Sequence, residues 1–168
     1  MSKLNIRTLT FKGGTHPPHS KKATESLPIE RANEPKVVVI PMQQHIGAPC
    51  EPIVQVGDEV KVGQKIGEAK GFVSVPVHSS VSGKVAVVEP RLYSGGTAVP
   101  CIVIENDMQN TVSDQVVPKG DISVLSAEDI KNIIKEAGIV GMGGATFPTH
   151  VKLAPPPDKN VDTVILNG

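Results

Sequence analysis

Gly141, Gly143 and Gly144 fall within four positions of one another, and Ala145, Phe147, Pro148 and Lys152 follow closely. Glycines at that density leave backbone N–H groups uncovered, so an anionic or flat ligand can approach the chain. Pro148 can open a helical turn, where its missing N–H costs nothing. Lys152, four residues on, would then project a positive charge towards the same mouth. The chemistry on offer is therefore binding and positioning of a phosphorylated or planar ligand. A glycine-rich turn that binds nothing is the other reading of these residues. Familiar phosphate motifs do not decide between them. The chain has no G-x-x-x-x-G-K-[ST], which excludes a P-loop. Gly141-Met142-Gly143-Gly144-Ala145-Thr146 lacks the last glycine of G-x-G-x-x-G and follows a helical segment, which excludes an ordinary dinucleotide fingerprint.

The helix that must position this loop is written just before it. Ser126 and Asp129 have the spacing of a capping box, in which two backbone donors are satisfied reciprocally. Ile130, Ile133, Ile134 and Ala137 form one apolar stripe of 3.6-residue period. Gly138 stands where a left-handed residue ends a helix, and Ile139 behind it can fold back on the stripe. After the loop, Pro155-Pro156-Pro157 is a stop and Val161-Asp162-Thr163-Val164-Ile165-Leu166 reads as a strand. One helix, one loop and one strand bury too little surface to stand alone, and a chain ending after an apolar strand looks cut short.

Other candidates for chemistry are sparse. His16 and His19 have no third ligand at metal-binding spacing. His45 and His78 lie near glycine, proline and strand residues with no nucleophile or carboxylate beside them, and read as hydrogen-bonded structural histidines. Cys50 and Cys101 fit no C-x-x-C, so zinc and iron–sulfur sites are not expected in this chain, and both read as small buried residues. Seventeen basic residues balance seventeen acidic ones in 168, which gives no argument for nucleic acid or an anionic membrane surface. No apolar run approaches the roughly 20 residues of a membrane-spanning helix, and Met1 to Thr10 lacks a secretion signal's apolar core. Cytoplasmic exposure is the expectation. Aromatic residues make up 2% of the chain, so any core must be built from Val, Ile, Leu and Ala.

Lys36 to about Glu105 reads as a β region. Val37-Val38-Val39-Ile40 has the pattern of a buried strand. Gly57-Asp58 and Gly63-Gln64 punctuate short alternating strands, with Val56, Val60 and Ile66 available for an inner face. Val85-Ala86-Val87-Val88 and Cys101-Ile102-Val103-Ile104 supply further strands. The G-D-x-V-x-x-G-Q-x-I and S-G-K-V elements look like the barrel-sandwich of biotinyl and lipoyl carrier domains. In such carriers the modified lysine sits at a hairpin tip about ten residues past the second glycine. That tip falls here near Val73, in Gly71-Phe72-Val73-Ser74, and Lys70 is off by three. A shared fold without carrier chemistry is the expectation. Residues 106–125, with Asn106, Asp107, Asn110, Asp114, Pro118 and Gly120, read as a linker. The expected organisation is an irregular segment 1–36, a barrel-sandwich domain 37–105, the linker 106–125 and a second unit 126–168.

Three ordered strings resemble one family. Gly141, Gly143, Gly144, Ala145, Phe147, Pro148, Thr149 and Lys152 match the G-R-G-G-A-G-F-P-T-G-x-K-W loop of the NADH- and FMN-binding subunit of respiratory complex I, and the match to the RnfC family is closer still. Met142, Thr146, His150 and Leu153 depart from the complex I string, and Met142 removes an arginine. Phe11-Lys12-Gly13-Gly14-Thr15-His16-Pro17 resembles the F-x-G-G-x-H-P amino-terminal signature of RnfC proteins. Pro41-Met42-Gln43-Gln44-His45-Ile46-Gly47-Ala48-Pro49 resembles their P-x-x-Q-H-I-G-A-P string. The resemblance implies a mainly β fold, a barrel-sandwich hybrid domain followed by the start of an α/β nucleotide-binding domain of the complex I flavoprotein type.

It also implies a peripheral subunit on the cytoplasmic face of the bacterial cell membrane, part of an Rnf-type ion-translocating ferredoxin:NAD⁺ oxidoreductase. Electrons would pass between NAD(H), FMN and iron–sulfur clusters, coupled to Na⁺ or H⁺ movement. Partners would be the other subunits, membrane subunits among them, and ferredoxin. Carried over residue by residue, Gly141, Gly143 and Gly144 let the backbone approach the dinucleotide and Ala145 keeps the wall thin. Phe147 offers a stacking face and Lys152 a charge. No general acid, base or metal ligand is expected. Two [4Fe–4S] clusters and most flavin contacts are expected beyond residue 168, so this stretch alone should be inactive and hold no cofactor. Two other classes stay open, a soluble RnfC-like flavin and iron–sulfur reductase, and a structural docking module that binds no nucleotide.

Overall fold

The computed structural model describes residues 13–15 and 17–165. Phe11, Lys12 and His16 of the amino-terminal string lie outside the described residues, as does Leu166. Residues up to 33 form one unit and those from 34 onwards another. In the first, the described residues are exposed and mostly irregular, with a turn closed by the Glu25 and Thr24 N–H groups on the Lys21 carbonyl at 2.8 and 2.9 Å.

The second unit is built on seven antiparallel strands, β1 (Val37–Pro41), β2 (Glu51–Pro52), β3 (Glu59–Val60), β4 (Lys65–Glu68), β5 (Val77–His78), β6 (Gly83–Leu92) and β7 (Ala98–Asn106). They form two sheets, β1-β7-β6-β3 and β2-β4-β5. Apolar residues at alternate positions from both sheets meet between them, among them Ile40, Val60, Ile66, Val77, Val85, Ile102 and Ile104. That is a barrel-sandwich with a β-branched aliphatic core, as the punctuated sequence requires. Gly83 shows why the S-G-K-V element needs its glycine. Its φ is +150°, and a Cβ there would overlap the Glu105 carbonyl oxygen.

Three details differ from the sequence expectation. β1 is an edge strand with one face inward, so Ile40 is buried while Val37 and Val39 are 49% and 42% exposed. Val56 faces outward rather than into the core. The turn around it is closed by Gln55 N–H on the Asp58 carboxylate and Asp58 N–H on the Gln55 carbonyl, which puts residue 56 on the turn's outer corner. Residues 161–165 are exposed and form no strand. An isolated strand leaves its N–H and C=O groups unpaired, and no described segment lies alongside to pair them.

Within residues 106–125, the stretch around 112–116 lies against the barrel. Val62 and Val112 form a parallel bridge, Ser113 is buried, and the Val116 side chain covers Gly63. A short 3₁₀ turn at Ile122–Val124 leads into α1 (Ala127–Glu136). Its capping box is formed as the sequence predicts, Ser126 Oγ accepting from Asp129 N–H at 3.1 Å and the Asp129 carboxylate accepting from Ser126 N–H at 2.9 Å. The helix ends in a Schellman motif. Ile139 N–H donates to the Ile134 carbonyl, Gly138 N–H to Lys135, and Gly138 has φ +69°. The isoleucine stripe is only partly covered, and no residue of α1 is fully buried. A second short helix, α2 (Thr149–Lys152), packs against α1.

Candidate functional site

The glycine loop is a closed excursion between α1 and α2. Val140 and Pro148 bridge in antiparallel fashion, and Gly141 N–H donates to the Phe147 carbonyl at 2.9 Å. Thr149 N–H reaches back to the Ile139 carbonyl at 3.1 Å. These contacts fix the loop's base. Its tip is a turn with Thr146 N–H on the Gly143 carbonyl at 3.0 Å. Ile46 N–H donates to the Ala145 carbonyl at 3.1 Å, so the Q-H-I string of the barrel holds the tip. Two segments a hundred residues apart in the chain therefore meet at one place.

Between base and tip, the N–H groups of Met142, Gly143, Gly144 and Ala145 donate to nothing among the described residues. A Cβ built on Gly143 or Gly144 would have no neighbour within 4 Å. Neither of these glycines, nor Gly141, has a left-handed φ, whereas Thr146 does, at +47°. The glycines are thus not demanded by backbone angle. What they provide is bare, exposed peptide with unmet donors, the physical requirement for an anion or a flat ring to lie against the chain.

Lys152 lies across Gly141, its ammonium against the point where a Cβ would be, so glycine at 141 is what lets the lysine cross the loop base. Lys152 forms no ion pair among the described residues. Phe147 is half-buried. The tip residues Gly144, Ala145 and Thr146 line a cleft of about 540 Å³ together with Gln43, Gln44, Ile46, Tyr93, Ser94 and Thr97. Gly144 and Ala145 are the predicted residues that face this cleft; Gly141, Gly143, Phe147 and Lys152 lie outside its lining. Gln43, Gln44, Tyr93 and Thr146 also line the cleft and were not among the predicted residues. The glutamines stood in a string already singled out, but nothing in its spacing placed it beside the loop. Tyr93 sits in a hairpin turn and carried no signal.

The histidines support this arrangement. His45 is 6% exposed; Val75 N–H donates to its Nε2 at 3.2 Å, which leaves the proton on Nδ1 to donate to the Ile46 carbonyl at 3.0 Å. It therefore braces the segment that holds the loop tip. Cys50 Sγ donates to the Val75 carbonyl at 2.9 Å, and burial pushes this thiol's pKa up, which disfavours the thiolate. His78 packs beside Gly138, where a Cβ would come within 3.2 Å of its Nδ1. Burial first, then the Lys65 ammonium, hold His78 below the ordinary histidine value, against the opposing pull of Glu136. Lys65 bridges β4 to α1 by ion pairs to Glu68 at 3.3 Å and Glu136 at 2.6 Å. Burial works against its charge, but the two carboxylates outweigh it and raise the lysine pKa. His150 Nε2 meets the Phe72 carbonyl at 3.1 Å, tying α2 to the hairpin tip of the barrel.

That hairpin tip carries no lysine; Lys70 is exposed and ion-paired with Glu51. Among the described residues no three His, Cys, Asp or Glu side chains converge as a metal site, and the two cysteines are buried and unpaired. No described helix is long and apolar enough to cross a membrane.

Comparison with known proteins finds two family models along the chain. The family model of the RnfC barrel sandwich hybrid domain matches residues 9–109, and that of the Nuo51 FMN-binding domain matches residues 134–168. The chain is 54% identical over 165 residues to the C subunit of the Na⁺-translocating ferredoxin:NAD⁺ oxidoreductase complex of Acetobacterium woodii, covering 98% of this chain and 37% of the relative. It is 51% identical over 159 residues to the C subunit of the proton-translocating ferredoxin:NAD⁺ oxidoreductase complex of Clostridium ljungdahlii, covering 95% and 35%. With the C subunit of the ion-translocating oxidoreductase complex of Serratia proteamaculans the identity is 37% over 164 residues, covering 96% and 23%. The chain thus spans about a third or less of the length of these curated relatives.

Proposed function

This chain belongs to the RnfC family, and from that premise we propose that its glycine loop is one wall of a nucleotide site in a subunit of an ion-translocating ferredoxin:NAD⁺ oxidoreductase. The observation that carries the reading is the row of four N–H groups at 142–145 with no partner among the described residues, over which Gly143 and Gly144 leave open space. The residues present suit FMN or NAD(H). Bare peptide donors can hold phosphate oxygens, glycine lets a ring or phosphate approach, and Lys152 at the loop base adds charge. When bound, the flavin and the nicotinamide supply the hydride and electron chemistry. This chain's part is to hold and orient them. Gly141, Gly143, Gly144 and Ala145 shape the wall, and Lys152 stabilises negative charge. Phe147 contributes its carbonyl to the loop base and, on this reading, an aromatic surface.

The wider reading goes beyond the relatives' names, which give a complex, ferredoxin and NAD⁺, and takes the rest from the family resemblance. The subunit sits peripherally on the cytoplasmic face of the membrane, meets the other subunits of the complex, and exchanges electrons with ferredoxin through iron–sulfur clusters. Cys50 and Cys101 are unsuited to hold such a cluster, being buried singly, so its ligands belong to other sequence. The first two relatives named above carry different coupling ions, which fits a role for this stretch in electron transfer rather than ion choice.

The test is Gly144→Val in a full-length protein that includes this sequence, assayed for NADH oxidation with an artificial acceptor beside flavin content and melting temperature. Because nothing surrounds Gly144, the variant should fold normally and lose activity by roughly tenfold or more, a change of about 1.4 kcal/mol. Full activity in a folded, flavin-loaded variant would reduce the loop to a turn.

A further inference from the structure

We propose that the tip of the β6–β7 hairpin is the second wall of the nucleotide cleft, with Tyr93 stacking on a flat heteroaromatic ring and Gln43 and Gln44 reading that ring's polar edge. The inference rests on the nucleotide reading of the glycine loop and adds to it the part of the ligand that the loop does not explain. Peptide N–H donors suit phosphate; a ring needs an apolar face and a few directed polar groups.

The opposite side of the cleft provides these. Its lining has no carboxylate, lysine or arginine, which suits an uncharged ring and gives a charged peptide nothing to bind. At about 540 Å³ the cleft has the size of a small-ligand site. Tyr93 is the only tyrosine of the chain, and it stands 38% exposed in a hairpin turn. Its hydroxyl makes no hydrogen bond among the described residues. The turn that carries it is nonetheless fixed. Tyr93 N–H donates to the Thr97 carbonyl at 3.0 Å, Gly96 N–H donates to the Tyr93 carbonyl at 2.9 Å, and Leu92 pairs with Ala98. An aromatic ring on a rigid turn stacks at little entropic cost.

Gln44 is oriented as well. Its Nε2 donates to the Pro41 carbonyl at 3.0 Å, leaving Oε1 as a directed acceptor. The complementary donors are the imide N–H of an isoalloxazine and the carboxamide NH₂ of a nicotinamide. Gln43 has its whole amide free among the described residues. Facing them, the Ala145 carbonyl is already engaged by Ile46, and Thr146 is held at φ +47°. A β-branched residue at such an angle is costly, and such strain gathers at ligand sites.

The test uses a full-length protein that includes this sequence, as wild type, Tyr93→Ala, Tyr93→Phe, Gln44→Leu and Gly144→Val. Flavin-free protein is titrated with FMN and followed by quenching of flavin fluorescence. The flavin-loaded protein gives KM and kcat for NADH, and all variants are checked by melting temperature. Tyr93→Ala should weaken one ligand by about five- to a hundredfold, the range of a stacking contact, with Tyr93→Phe near wild type and Gln44→Leu intermediate. A weakened FMN titration with diminished quenching assigns the ring to the flavin; a raised NADH KM with unchanged kcat and FMN affinity assigns it to the nicotinamide. If Tyr93→Ala changes neither while Gly144→Val loses activity, the second wall is overturned and the glycine wall stands. If neither variant has an effect, both fall. If Tyr93→Ala acts and Gly144→Val does not, the two-walled cleft is overturned.

Discussion

Gly83 and Gly144 are both small residues in conspicuous sequence, yet the two regions use glycine for opposite reasons. In the barrel, Gly83 has a φ of +150° and no room for a Cβ, because the Glu105 carbonyl fills it. In the loop, Gly144 has an ordinary φ and nothing around it. The barrel's glycine is required by neighbours that are present. The loop's glycine has no such neighbour, so nothing in the described fold requires it. Gly83 is both crowded and twisted, and Gly144 is neither.

The sharpest way to break this comparison is to place the same side chain at both. Gly83→Val should cost about 2–6 kcal/mol, since overpacking takes roughly 1–3 and a forced backbone angle roughly 1–3 again. Its melting temperature should collapse. The equivalent change at Gly144 should move stability by no more than about 0.5 kcal/mol while activity falls. Equal melting losses at both sites would end the distinction. Lys152→Ala comes next in size. A charge-assisted contact is worth about 1.5–3 kcal/mol, and because Lys152 is exposed the lower figure applies, roughly tenfold in the affinity of the full-length protein for NADH or FMN, with melting unchanged.

A smaller effect concerns the seam between the regions. His78 has a folded-state pKa below the ordinary 6.5, because burial and Lys65 disfavour its charged form. The unfolded chain then binds the proton more readily, so stability is full above pH 6.5 and declines as pH falls from there toward the lowered value. The fall in melting temperature across that window should be shallower in His78→Gln than in wild type; equal slopes would remove His78 from the account. The smallest expected effect is none. Intact-mass analysis of cell-purified protein should show no lipoyl or biotinyl adduct, since the hairpin tip has no lysine and Lys70 pairs with Glu51. An adduct on Lys70 would make the barrel a carrier after all.

Much of this was legible in the residues, and the failures have physical causes. Ser126 with Asp129 and Gly138 with Ile139 gave the ends of α1, because capping and Schellman geometry are local. Gly57 and Gly63 gave the barrel's turns for the same reason. Val56 misled because alternation does not reveal which side of a turn is outward once an aspartate closes it. Val37 and Val39 misled because an apolar run looks alike in a central strand and at an edge, and only pairing tells them apart. Val161 to Ile165 misled because strand propensity cannot provide a partner. Tyr93 and Gln44 were invisible as site residues because their role depends on contacts between segments far apart in the chain.

The Ile46–Ala145 hydrogen bond has a consequence for recruitment of the ligand. A free loop that orders around a bound molecule loses about 1–2 kcal/mol of conformational entropy per residue. Here the Val140–Pro148 bridge fixes one end of the excursion and the barrel holds its tip, so only the stretch at 142–145 lies between fixed points. Most of the loss has occurred during folding, before any ligand arrives. The barrel therefore acts as a preorganising clamp, and weakening this bond should reduce affinity without removing any of the donor N–H groups.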